Sequence, residues 1–140
     1  MATKRAKLVW KGPQVLKVIQ VGTEKGIKRA ADLVVKEALR LILQTAKSGR
    51  FYGAHQASAP GEAPASQFGQ LVAGFRIEIR GHKAVISNIA PHAPKLERGT
   101  QRMAARPFMA PAIANTSRKA FDAIANSIKR ETGYGSSSKK

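Results

Sequence analysis

No cysteine occurs anywhere in the 140 residues of this chain. That absence removes disulfide frameworks, thiolate catalysis and cysteine-ligated zinc or iron–sulfur centres together, and it fits a reducing compartment. Acidic groups are scarce too: eight Asp and Glu stand against 25 Lys and Arg. A nuclease gathers several carboxylates around divalent ions. Here Glu62, Glu78 and Glu97 are spread over loop, strand and turn, with no spacing that asks them to meet. The three histidines, His55, His82 and His92, stand at no metal-type spacing from one another or from a carboxylate. Nucleophile-elbow, P-loop and dinucleotide glycine fingerprints are missing. The expectation is a non-enzyme with no cofactor and no catalytic or metal residues.

Aromatic residues make up only 6% of the chain, and they are not interleaved with basic residues as a single-strand stacking platform requires. A helix-turn-helix needs two short helices at a tight turn, which Gly22 and Gly26 do not build. No apolar run approaches the roughly 20 residues of a membrane span. The start, Met1-Ala2-Thr3-Lys4-Arg5-Ala6-Lys7, is basic but leads into no signal-type apolar core. A soluble protein made in the cytoplasm and making no membrane contact is expected.

What the chain does have is positive charge, net +17. Residues 1–50 hold 12 basic and 3 acidic groups, residues 51–100 hold 5 and 3, and residues 101–140 hold 8 and 2. The ends are strongly basic and the middle is nearly neutral. A field of this size attracts polyanions and costs some self-repulsion in the compact state. Nucleic acid is the natural partner, because Lys and Arg displace counterions from phosphates whatever the base sequence.

The pattern of the chain predicts one α+β domain over residues 1–134: a long N-terminal helix and a C-terminal helix packed on a small antiparallel sheet, with a long extended loop. Leu8-Val9-Trp10 reads as an edge strand or packed arm. Gly12-Pro13 then opens a helix, and Ile27, Ala31, Val34, Ala38, Leu41 and Ile42 recur at helical spacing. Val35, Leu39 and Leu43 widen that stripe, as in a helix covered on two sides. A break is expected near Gly22-Thr23. Residues 48–67, rich in Gly, Pro, Ala and Ser, have no period and read as an extended arm. Gly74-Phe75-Arg76-Ile77-Glu78-Ile79-Arg80 alternates as a half-buried strand, and Ala84–Ile89 returns as its hairpin partner. A short helix ends at Gly99. Pro111 opens the last helix, with Ile113, Ala120, Phe121, Ile124 and Ile128 on its inner face. Residues 135–140 form a flexible tail by composition.

Three collinear blocks then carry a resemblance. The first is Ser48-Gly49-Arg50 followed by His55-Gln56-Ala57-Ser58-Ala59-Pro60-Gly61-Glu62-Ala63-Pro64-Ala65; the second is Gly69-Gln70-Leu71. The third is Glu97-Arg98-Gly99-Thr100 followed by Arg102-Met103-Ala104-Ala105-Arg106-Pro107-Phe108-Met109-Ala110-Pro111-Ala112. In this order and spacing they resemble the tail-completion or head–tail joining proteins of long-tailed bacteriophages, which are related to the minor tail protein Z of phage lambda. Gln67-Phe68-Gly69 stands where family members often carry Asp-Thr-Gly, and His92-Ala93 where they carry Tyr-Ala. The motifs cover about half of the chain, and the order of elements covers nearly all of it.

The resemblance implies a structural virion protein of the neck or upper tail, assembled in the host cytoplasm. Its subunits would form a homo-oligomeric cyclic ring, expected as a hexamer, that helps join the tail to the DNA-filled head. Its other partners would be neck and tail proteins and the DNA in the channel, bound without sequence specificity. Subunit-interface or motif roles then fall to His55, Pro60, Gly61, Glu62, Pro64, Glu97, Gly99, Thr100, Arg106, Pro107, Phe108 and Pro111. Within that block Glu97 is expected to pair with Arg102 or Arg106, of the same or a neighbouring subunit, or else to be solvated. Phe108 reads as a core or interface anchor. Lys4, Arg5, Lys7, Lys28, Arg29, Lys129 and Arg130, in the basic flanks, are expected to face DNA. Charge alone argues for a different protein: a freestanding architectural binder of DNA or RNA.

Overall fold

The computed structural model describes residues 11–66 and 69–134. Expectations placed on Lys4, Arg5, Lys7, Leu8-Val9-Trp10, Gln67-Phe68 and the 135–140 tail lie outside the described residues.

The first element, α1, is a continuous helix over Gly12–Gln44, about 50 Å long at 1.5 Å per residue. Pro13 sits in its first turn, where a missing N–H costs nothing. The break expected near Gly22-Thr23 does not occur. Glycine weakens a helix through backbone entropy, but both glycines here lie against the last helix, α4 (Met109–Thr132). A Cβ on Gly22 would fall 2.9 Å from the Ile128 Cα, and one on Gly26 would fall 2.6 Å from the Ile124 Cα. They permit close approach of two backbones rather than a bend.

The two helices run antiparallel, Gly26 opposite Ile124 and Glu37 within 2.9 Å of the Asn115 amide. Helix α4 begins two residues before Pro111 and ends, as expected, at Gly133 (φ 66). Its inner face is the expected one only in part: Ala120, Ile124 and Ile128 are half-buried, and the last two lie with their backbones against Gly26 and Gly22. Ala112, Thr116 and Ser127 are buried, while Phe121 is 71% exposed and Ile113 is exposed beside it. The opposing stripe of α1 is also small, with Gly22, Gly26, Ala31 and Ala38 buried. Small residues bring the axes closer, so the short side chains face inward and the bulkiest apolar one faces out.

Between the long helices come two separate two-stranded antiparallel sheets. Strands β1 (Phe51–Tyr52) and β2 (His55–Gln56) make a small ribbon inside the segment expected to be an extended arm. That segment is folded onto the chain instead: the Gly49 N–H donates to the Ala57 carbonyl and the Ala57 N–H to the Arg50 carbonyl around the ribbon, and Ser58 and Pro64 are buried. After the short helix α2 (Gln70–Ala73), β3 (Phe75–Arg80) pairs with β4 (Lys83–Asn88) from Phe75↔Asn88 to Arg80↔Lys83. A second short helix, α3 (Ala93–Arg98), follows.

Both strands of the larger hairpin pack on α1. The core joins Val34, Ala38 and Ile42 of α1 to Leu71, Ala90, Ala93, Phe108 and Ala112, with Phe75 and Ile86 against it. Phe108 is its largest buried side chain, and the Phe75 ring meets it edge-on at 6.0 Å. This core covers only part of α1. Leu16 shares a helix face with Ile27 by the 3.6-residue period, yet Ile27 is buried and Leu16 is 68% exposed.

Candidate assembly platform

The first and third sequence blocks meet in space at the end of the molecule that holds the core. Each is organised by one carboxylate that binds backbone.

Glu97 lies in the last turn of α3, whose C-cap is Gly99 (φ 75, ψ −178). That backbone conformation belongs to glycine, and a Cβ there would also fall 2.8 Å from the Ala105 nitrogen and the Met103 oxygen. The chain turns through a Thr100–Met103 bridge, and Arg106 donates its N–H to the Leu96 carbonyl at 2.7 Å. This return places the start of α4 beside Glu97. Phe108 and Met109 donate their N–H groups to Glu97 Oε2 at 2.9 and 3.0 Å, and Ala110 donates to Oε1 at 2.9 Å. The first N–H groups of a helix have no intrahelical acceptor. Helix α4 has no side-chain cap from its own N-cap residue, Phe108, and no acid in its first turn. Glu97 supplies both acceptor and negative charge from eleven residues upstream. The pairing expected with Arg102 or Arg106 within the chain is therefore replaced: both carboxylate oxygens are held by backbone donors. The Arg106 Nε is buried without a partner among the described residues.

Glu62 does the same for the first block. It accepts the Ser48 N–H at 3.0 Å and the Ala59 N–H at 2.8 Å, and the Ser48 hydroxyl as well. The Ser48 hydroxyl, then these backbone N–H groups, hold its carboxyl at about 2 against an ordinary 4.5, with Lys47 adding a smaller attraction. Lys47 caps the end of α1: its ammonium donates to the Leu41 carbonyl at 3.0 Å, Thr45 Oγ1 at 2.8 Å and the Ala63 carbonyl at 2.8 Å. Burial pushes that ammonium's pKa down, and Glu62 partly opposes the shift.

A single bond joins the two units, from the Gly61 N–H to the Ala105 carbonyl at 3.0 Å. The motif residues thus divide by role. Pro64 and Phe108 are buried, Glu62 and Glu97 are clamps, Gly61 and Gly99 supply positive φ, and Pro111 stands in the first turn of α4. His55 is half-buried in β2 opposite Tyr52, and Pro107 is half-buried beside Phe108. Pro60 and Thr100 are exposed. Phe51 and Tyr52, at the tip of the ribbon, are largely exposed, and the Arg50 guanidinium lies 5.8 Å from the Tyr52 ring centre.

The described basic residues named for DNA lie elsewhere, on the paired helices. Lys28, Arg29, Lys129 and Arg130 are all exposed, and Arg29 also donates to Ser127 Oγ at 2.9 Å. Six of the eight acidic side chains accept a bond within the chain: Glu24 from Gln20, Glu37 from Arg40 and Asn115, Glu78 from Arg80, Glu131 from Lys25, and the two clamps. Only Asp32 and Asp122 lack one among the described residues. Three of these acids pair with cations, Glu131 with Lys25, Glu37 with Arg40 and Glu78 with Arg80, so most of the described Lys and Arg side chains have no ion-pair partner. Among the described residues no group of three or more His, Asp or Glu could hold a metal ion, and no helix is long and apolar enough to cross a membrane.

Sequence reasoning missed the clamps because their donors are backbone groups of another segment, which no side-chain pattern announces. Gly22-x-x-x-Gly26 does carry a readable signal for the helix pairing, one small-residue row at one-turn spacing. None of the protein-family models, curated proteins or solved structures compared with this chain matches it.

Proposed function

We propose that this chain is a subunit of a cyclic ring at the neck or upper tail of a long-tailed bacteriophage, where it helps join the tail to the DNA-filled head. The observation that carries the reading is the Gly61–Ala105 bond. It unites the first and third of the three motif blocks on which the resemblance rests, although a helix and a hairpin separate them in the chain. Their carboxylates are spent on backbone donors, a use suited to a firm contact surface rather than to proton transfer. Exposed Phe51 and Tyr52 on the adjoining ribbon offer apolar area to a neighbouring subunit. Head-to-tail contacts between identical subunits must close to bound a channel, and the largely unpaired basic surface suits a wall along passing DNA.

A second reading, an autonomous sequence-independent DNA or RNA binder, is favoured by that same basic excess. Deletion of the gene from the phage or prophage that carries it separates the two. The proposed role yields filled heads and finished tails that stay apart until purified protein is added. Intact joining after deletion, together with nanomolar duplex binding at physiological salt and a steep salt slope, would discard the ring in favour of the second reading.

A further inference from the structure

Along the outer side of the α1–α4 pair runs a groove that nothing among the described residues fills. It consists of two hollows of about 370 and 350 Å³ that share Leu33 and Lys36. The lining extends along α1 from Arg29 to Gln44, about 22 Å of helix. Its apolar contacts are Leu33, Leu39 and Leu43, the last 57% exposed. The rim is basic. Lys36 and Lys119 stand on opposite walls and make no hydrogen bond or close ion pair among the described residues; Lys119 acts on Glu37 only through longer-range attraction.

Two acids reach the groove. Glu37 is occupied, gripped by Arg40 through both oxygens and by the Asn115 amide. Asp32 is exposed at the far end of the second hollow.

We propose that this groove receives an acidic amphipathic helix from another protein. Four turns of a helix match its length, and leucines at i, i+3, i+4 and i+7 of such a helix would meet its apolar floor. Carboxylates flanking those leucines would meet Lys36 and Lys119. A second copy of this chain is a poor occupant, since six of its eight acids are already engaged and it would bring like charge to like charge. Duplex DNA would leave the leucine floor unused, because phosphate contact needs charge alone. The inference does not rest on the ring reading, which a deletion phenotype tests.

The test uses the full chain and a labelled synthetic helix of about 18 residues, with leucines at that spacing and glutamates on the other faces. Its counterparts carry lysine in place of glutamate, or serine in place of leucine. Fluorescence anisotropy near physiological salt should show saturable binding of the acidic helix, none of the lysine helix, and roughly tenfold weaker binding of the serine one. Leu43→Ser and the pair Lys36→Glu with Lys119→Glu should each weaken binding about fivefold to tenfold. Lys83→Glu, on the hairpin, should leave it unchanged. In the unmodified protein, NMR shifts should move at the methyls of Leu33, Leu39 and Leu43, which keeps the test valid if a variant unfolds.

Equal loss with Lys83→Glu, or no effect of Leu43→Ser, would reduce the binding to general attraction and overturn the proposal. A duplex that displaces the peptide and depends on Lys36 but not Leu43 would assign the groove to phosphate. Self-association abolished by Leu43→Ser would assign it to a second copy.

Discussion

Gly26 and Ile124 touch backbone to backbone: a single added carbon on Gly26 would stand 2.6 Å from the Ile124 Cα. This contact sets the sign of a simple experiment. Helix propensity alone makes Gly26→Ala stabilising by up to about 1 kcal/mol. Overpacking against an unyielding backbone makes it destabilising by about 1–3 kcal/mol. The second outcome is expected, as a lower urea midpoint with an unchanged m-value.

Glu97 should behave as a helix cap supplied from a distance. Glu97→Ala should destabilise by about 0.5–2 kcal/mol, and Glu97→Gln, which keeps an acceptor oxygen, by less. Hydrogen exchange localises the effect: the amides of Phe108, Met109 and Ala110 should lose protection before the rest of α4 does. Uniform loss along the helix would place the role of Glu97 elsewhere.

Acid should loosen the first block through Glu62. Its folded pKa of about 2 lies below the ordinary 4.5, so its contribution is complete above about 4.5 and fades as pH falls toward 2. Glu37, held at about 2 chiefly by its hydrogen bond from Arg40, weakens in the same window. Proteolysis within residues 48–65 should therefore accelerate between pH 4.5 and 2. In Glu62→Gln it should already be faster at pH 7 and depend less on pH.

Phe121 tests which face of α4 is inside. Being 71% exposed, Phe121→Ser should change the stability of the isolated chain by no more than about 0.5 kcal/mol. A buried aromatic would cost about 3–5 kcal/mol on truncation, the result expected for Phe108→Ala. Thermal or chemical unfolding of the two variants side by side decides it.

How far the fold could be read from residues depended on the range of the interaction. The period of α1 from Ile27 to Ile42, the alternation of β3 and the stop at Gly133 are local, and the structure reproduces them. The inner face of α4 is legible only in part: Ile124 and Ile128 do meet α1, but the close approach of the two helices puts Ala112, Thr116 and Ser127 deepest and leaves Ile113 and Phe121 outside. The described part of the arm, residues 48–66, is illegible in the sequence because its order comes from Glu62 and Lys47 binding backbone, not from any period. The clamps follow the same logic, since Glu62 and Glu97 are written as lone acids and gain their roles only when other segments return to them. The groove was invisible for the complementary reason: Leu39 and Leu43 read as core, and only the position of α4 leaves Leu43 outside.

Pairing the first long helix with the last has a consequence for the order of events during synthesis. Nearly a hundred residues separate Gly26 from Ile124, so α1 leaves the ribosome long before anything that can cover its α4-facing row exists. Closing so long a loop costs entropy that local contacts do not offset, and non-local pairing of this kind slows folding. The nascent chain must keep Gly22, Gly26 and Ala31 uncovered until α4 arrives. The interleaved Lys17, Lys25, Lys28 and Lys36 supply like-charge repulsion that keeps waiting chains apart.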